Sequence, residues 1–157
     1  MNLKFAFLIL LLLPLACAVA AAKPEPALRK VNVCAKSRMV DTGLVLRGGE
    51  TLKFVADSDA RWKDLCFSLK ADGTGRWPIY HTYMGLVSSR LTVPGSPAFA
   101  LHGRVGCGRA FLIGLGAEVT VRDAGPLVLF TNDVPGFYWN NSGAIPVTIT
   151  KMRAKKK

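Results

Sequence analysis

Histidine is almost missing: the 157 residues contain two, His81 and His102. No C-x-x-C, H-E-x-x-H, G-x-S-x-G or P-loop pattern occurs. The common zinc, nucleophile-elbow and nucleotide chemistries therefore have no sequence footing. Acidic residues are also scarce, ten against 21 lysines and arginines, for a net charge of +11. Carboxylate-pair chemistry could be assembled only arbitrarily, because nothing fixes a separation between two acids. No stretch shows a capped helical period, and there is no internal repeat. Past the N-terminus no apolar run is long enough to span a bilayer. The length excludes two full domains and most enzymes that carry separate cofactor and substrate domains.

What is present begins with a targeting pattern. Lys4 precedes an apolar run, Phe5 to Leu15, and Ala16, Ala18 and Ala20–Ala22 follow. Residues 1–22 read as a secretory signal peptide with an A-x-A site ending at Ala20 or Ala22. Cys17 raises a lipoprotein reading, but Pro14 and Leu15 fit a lipidation box poorly. The chain is therefore expected to be secreted or periplasmic, with a linker at 23–30 and a basic tail at 152–157. Three cysteines remain, Cys34, Cys66 and Cys107. An oxidising compartment allows one bridge and one leftover thiol, and three buried thiols are the alternative.

Fifteen glycines and nine prolines punctuate short apolar stretches. Thr51–Ala56, Glu118–Arg122 and Ile145–Thr150 alternate with β-branched residues on one face, and Pro126–Phe130 is a short apolar run. Period two and this spacing predict an all-β protein, a β-sandwich or jelly roll over residues 31–151. Pro146 predicts that the last strand lies at an edge or begins outside the ladder. Residues 71–97 read as a long loop with a short strand.

The densest chemistry is Thr131-Asn132-Asp133-Val134-Pro135-Gly136-Phe137-Tyr138-Trp139-Asn140-Asn141-Ser142-Gly143. One carboxylate and three carboxamides flank a Pro-Gly turn that folds Asn140 and Asn141 back toward Asp133. Calcium takes six to eight such oxygens, although this composition also makes ordinary turns and does not match an EF-hand.

Asn132–Gly136 and Tyr138–Gly143 resemble the calcium-dependent galactophilic bacterial lectins of the LecA type. Pro97–Gly106, Val40–Gly43 and Gly49–Ala56 carry the similarity upstream. The resemblance implies a jelly roll with one calcium at its rim, bridging protein and sugar through vicinal hydroxyls of galactose. It places the carboxylate ligand on Asp133, the carboxamide ligands on Asn140 and Asn141, and carbonyl ligands on Phe137 and Trp62. Trp62 stands where the family has tyrosine; the sugar would meet Asp133, Val134 and Asn140 at the ion and rest against Trp62, Trp139 or His81. The stretch from Trp62 to Ala100 is longer than the family pattern, and His81 is the only histidine there to contact a sugar. A lone histidine is equally an ordinary surface or core residue. Trp139 replaces a small residue. It could stack on a sugar ring, fill the groove or pack on the sandwich.

The function expected is non-enzymatic, calcium-dependent binding of galactose-type glycans. Gly106-Cys107-Gly108 suggests an exposed thiol, but no base is fixed beside it. The alternative is a structural envelope protein of the same fold, whose basic surface contacts anionic polymers. Arg29-Lys30 and Lys36-Ser37-Arg38 would cluster with the tail if first and last strands are neighbours. The basic residues are mostly dispersed, which argues against specific nucleic-acid binding. Family lectins assemble for multivalent binding, so a homo-oligomer is open, with no interface legible.

Overall fold

The computed structural model describes residues 27–152. The signal-peptide segment, Cys17 and most of the basic tail lie outside that range. In chain order the elements are β1 (Ala27–Cys34), β2 (Val40–Leu46), β3 (Thr51–Ala56), β4 (Trp62–Asp64), β5 (Phe67–Leu69), α1 (Pro78–Leu86), β6 (Leu101–Val105), β7 (Phe111–Leu112), β8 (Gly116–Thr120), β9 (Gly125–Thr131) and β10 (Asn141–Lys151). Two antiparallel sheets face each other. One holds β5-β4-β10-β3-β8 with β1 also on β10, and the other runs β2-β9-β6-β7. The chain crosses between sheets repeatedly, as the predicted sandwich requires.

The alternating segments explain the core. Leu52, Phe54 and Ala56 of β3 point inward, as do Ile145, Val147 and Ile149 of β10. The register places Ile149 beside Phe54 and Val147 beside Ala56. Leu127 and Leu129 of β9 and Leu101 and Val105 of β6 close the core from the other sheet. Burial of such side chains is worth about 1.5–3 kcal/mol each.

Four expectations need correction. β10 is central rather than marginal: Ala144–Thr150 pair with β1, Asn141–Gly143 with β4, and Val147–Lys151 with β3. Pro146 is tolerated because its carbonyl accepts from Asp57 N–H at 2.9 Å. Asp57 lies one residue past β3, so the missing proline N–H forgoes only the reciprocal bond at the very end of that ladder. β1 begins at Ala27, inside the predicted linker, because the long β10 offers Thr150 as partner. A helix, α1, stands in the stretch read as loop. Pro78 occupies its first turn, and Tyr80 and Met84, four apart, are the buried pair; proline at that position is pre-organised for helix entry. All three described cysteines are free. Cys66 and Cys107 sit exposed on separate turns, and Cys34 at the end of β1 is half-buried.

Candidate functional site

Asn132 fixes the floor of the site. It is fully buried. Its Oδ1 accepts from Val93 N–H at 2.8 Å, and its Nδ2 donates to the carbonyls of Val93 (3.0 Å), Pro97 (3.1 Å) and Ser96 (3.3 Å). The Val93–Pro97 loop that follows α1 is thereby tied to the end of β9. Thr92 then donates from Oγ1 to the Asp133 carbonyl at 2.8 Å, and Tyr138 OH donates to the Thr131 carbonyl at 2.7 Å. Phe137 N–H closes the Pro135-Gly136 turn on Val134 O at 2.9 Å. A 3-10 turn, Tyr138–Asn140, delivers the chain into β10.

This scaffold holds Asp133 with 2% of its surface exposed. Its Oδ1 accepts from Val134 N–H at 2.6 Å and its Oδ2 from Asn141 Nδ2 at 2.8 Å. Burial pushes the carboxyl above its usual range, and those two hydrogen bonds pull the other way. A second carboxylate, Asp64, faces it. Asp64 is 7% exposed. Its pKa is raised by burial first and by the Asp133 charge next, against hydrogen bonds from Tyr80 and Asn140. Tyr80 OH donates to Asp64 Oδ2 at 3.1 Å and Asn140 Nδ2 to Asp64 Oδ1 at 3.2 Å. Burial and the neighbouring carboxylates keep the Tyr80 phenol protonated. Among the described residues no salt bridge reaches either aspartate.

The two amides are left half-used. Four buried side-chain polar atoms lack a partner among the described residues, and two of them are Asn140 Oδ1 and Asn141 Oδ1. Buried orphans of this kind are uncommon and ask for an explanation. Asp64, Asp133, Val134, Phe137 and Asn140 line a cavity of about 300 Å³, walled on its apolar side by Tyr80 and Met84 of α1.

The structure thus gathers Asp133, Val134, Phe137, Asn140 and Asn141, five of the residues named from sequence. Trp62 is different. Its ring is fully buried, edge-on to Phe99 at 6.0 Å, and its indole N–H donates to the Lys70 carbonyl at 3.1 Å. No sugar can reach it, and its backbone lies inside the ladder between Gly143 and Leu69. The residue that β4 brings to the site is Asp64, two positions on and opposite Asn141. His81 is exposed, its ring edge-on to Tyr80, and Trp139 is 68% exposed; neither lines the cavity. The other histidine, His102, is buried elsewhere between Ser96 and the Ala100 carbonyl.

Asp64 escaped the sequence reading because it stands 76 positions from Asn140 on a three-residue strand. Gly143 makes the approach possible: at φ +83°, with a Cβ there only 2.9 Å from the Arg61 carbonyl, the backbones of β4 and β10 meet where a side chain would not fit.

A solved structure described as "EclA N-terminal domain; PllA-like lectin" shares the fold, with a TM-score of 0.59 and 21% identity over 80% of this chain and 98% of that one. That likeness supports a lectin-like fold, as the resemblance implied, without singling out the LecA type. No protein-family model and no curated protein matches the chain.

Proposed function

We propose that the protein binds carbohydrate through a calcium ion held by the β9–β10 loop, with galactose-type glycans as ligands and no catalysis. The observation that carries this reading is the pairing of two buried, unneutralised aspartates with two buried amide oxygens that accept nothing. Such an arrangement is costly as it stands. A hard divalent cation would offset both costs together. The candidate donors are two carboxylates with amide and backbone carbonyl oxygens, a hard, mixed-oxygen set that would suit calcium better than zinc.

Asp133 would supply its carboxylate, and Asn140 and Asn141 their amide oxygens. Asn140 Nδ2 now donates to Asp64, and Asn141 Nδ2 to Asp133 and, at 3.3 Å, to the Ala35 carbonyl, a bond that Asn141 would forgo on turning. A half-turn about either amide's broad terminal torsion exchanges Nδ2 for Oδ1. Phe137 O accepts from Asn140 N–H at 3.1 Å and keeps a second lone pair. Asp64 takes the place that the resemblance gave to Trp62. Calcium bound there supplies positive charge and open coordination positions for sugar hydroxyls. Val134 and Phe137 on the cavity wall exclude water beside the sugar. The lectin-like fold of the structural neighbour supports the same reading. Export from the cell would place the protein where calcium is millimolar, matched to extracellular modules that bind at about 10⁻⁴–10⁻³ M.

The test is thermal melting of the protein in calcium and in EDTA, with and without galactose. Calcium at a hundredfold over its Kd should stabilise by about 2.7 kcal/mol. Galactose should add a further shift only when calcium is present, and Asp133→Asn should abolish both. A calcium shift without a galactose response keeps the metal and rejects the sugar. No shift at millimolar calcium overturns the reading.

A further inference from the structure

A second cavity, of about 600 Å³, lies on the other side of the β4–β5 hairpin and is lined by Arg61, Lys70, Arg76, Ser68, Thr74 and Trp77 among others. Adjacent residues of β5 serve the two cavities: Phe67 lines the first and Ser68 the second. Three cations converge here, and among the described residues none of them forms a salt bridge. The acid on this loop, Asp72, turns its Oδ1 to Thr74, accepting from N–H at 2.9 Å and Oγ1 at 2.7 Å, and it feels the Lys70 charge without pairing with it.

The cavity is built rather than incidental. Lys70 N–H donates to the Thr74 carbonyl at 2.9 Å, Gly73 N–H to the Lys70 carbonyl at 3.0 Å, and the Trp62 indole to that same carbonyl at 3.1 Å. A bridge joins Leu69 to Gly75. A Cβ on Gly75 would fall 2.7 Å from both Leu69 Cδ2 and the Ser68 carbonyl, so glycine lets the loop close. Arg61 is pre-oriented too. Its Nη1 donates to the carbonyls of Ser58 at 2.7 Å and Ala60 at 2.8 Å. The remaining guanidinium N–H groups are left for a ligand. Trp77 adds an indole that is 56% exposed, an apolar wall beside the charges.

We infer that this cavity is a second, calcium-independent subsite for an acidic saccharide, one bearing a carboxylate or a sulfate. Arg61, Lys70 and Arg76 pair with the anion, and Trp77 packs on the sugar ring. Fixed donors facing an anion make the stronger class of hydrogen bond. The saccharide assignment rests on the glycan-binding reading; the anion preference rests on the cavity.

Binding of a heparin-derived tetrasaccharide and of a tetragalacturonate, measured calorimetrically at about 0.15 M salt, separates sulfate from carboxylate. A neutral galactotetraose and an oligothymidylate serve as competitors. Lys70→Gln and Arg76→Gln should each weaken the acidic ligand about tenfold, and Trp77→Ala should weaken it without changing its salt dependence. Asp133→Asn and EDTA should leave it unchanged. Melting curves of the variants exclude misfolding. Equal weakening by Lys155→Gln/Lys156→Gln/Lys157→Gln would show diffuse charge attraction and overturn the subsite. So would equal binding of the neutral sugar, tighter binding of oligothymidylate, loss of acidic binding in EDTA, or no binding of either acidic probe. Acidic binding that persists in a protein with no calcium response would sink the calcium reading and leave this subsite standing.

Discussion

Asp64 and Asp133 share a buried corner; burial makes both harder to ionise, and the Asp133 charge adds to that at Asp64. Their folded pKa values lie above the unfolded one. The folded state therefore holds protons more tightly, and the stability they contribute is present below about pH 3.8 and lost as pH rises through the raised values. Melting in EDTA should show this fall. Calcium competes with the same protons, so the gap between calcium and EDTA curves should widen as pH rises through that window. Asp64→Asn should flatten the EDTA profile, raise the calcium-free melting temperature near neutrality by about 3–6 °C, and shrink the calcium shift. A lower calcium-free melting temperature in that variant would mean that the carboxylate pair is not repulsive. Asn132 has the opposite character, since every polar atom of its side chain is satisfied. Asn132→Ala should cost about 3 kcal/mol in denaturant melts, by releasing the Val93–Pro97 loop from β9.

At the level of elements, the strands with β-branched alternation were legible. β3 matches its predicted span, and Ile145, Val147 and Ile149 do face the core. The Asp133–Gly143 loop was legible as well, because its oxygens lie close in sequence. β4, β5 and α1 were not. Three residues are too few to show a period. α1 is nine residues long, with no side-chain cap, no acid in its first turn and no base in its last. Its position is set by Tyr80 and Met84 meeting the core, a tertiary effect that propensity does not record. Asp64 was hidden with them, because only the β4–β10 register brings it to Asn141. That register depends on Gly143. Gly143→Ala should destabilise by at least about 2 kcal/mol and weaken the calcium shift, since displacing β4 withdraws Asp64. An unchanged calcium shift would separate Asp64 from the metal.

At the scale of the molecule, one strand organises the rest. β10 starts in the site, at Asn141, and pairs with β4, β3 and β1 along its length. Ligand binding at its first residues is therefore felt as stability of the whole main sheet. The described part of the tail also meets the body: Lys151 pairs with Glu50 at 2.7 Å, and Met152 N–H donates to the Thr51 carbonyl at 2.9 Å. First and last strands are neighbours, which sets Arg29 and Lys30 beside Ile149 and Thr148; the tail beyond Met152 lies outside the described residues. Arg38 is drawn instead to the β9–β10 loop, where it donates to the Pro135 carbonyl at 2.6 Å. The order of synthesis gives this topology a further meaning. Among the described residues, the strand that three others need follows all of them in sequence, and such distant pairings form slowly. A chain ending at residue 140 should show no cooperative unfolding and should be cut at once in pulse proteolysis. Until residues 141–151 are made, β1, β3 and β4 lack the neighbour they share, so the main sheet closes in one late step rather than strand by strand.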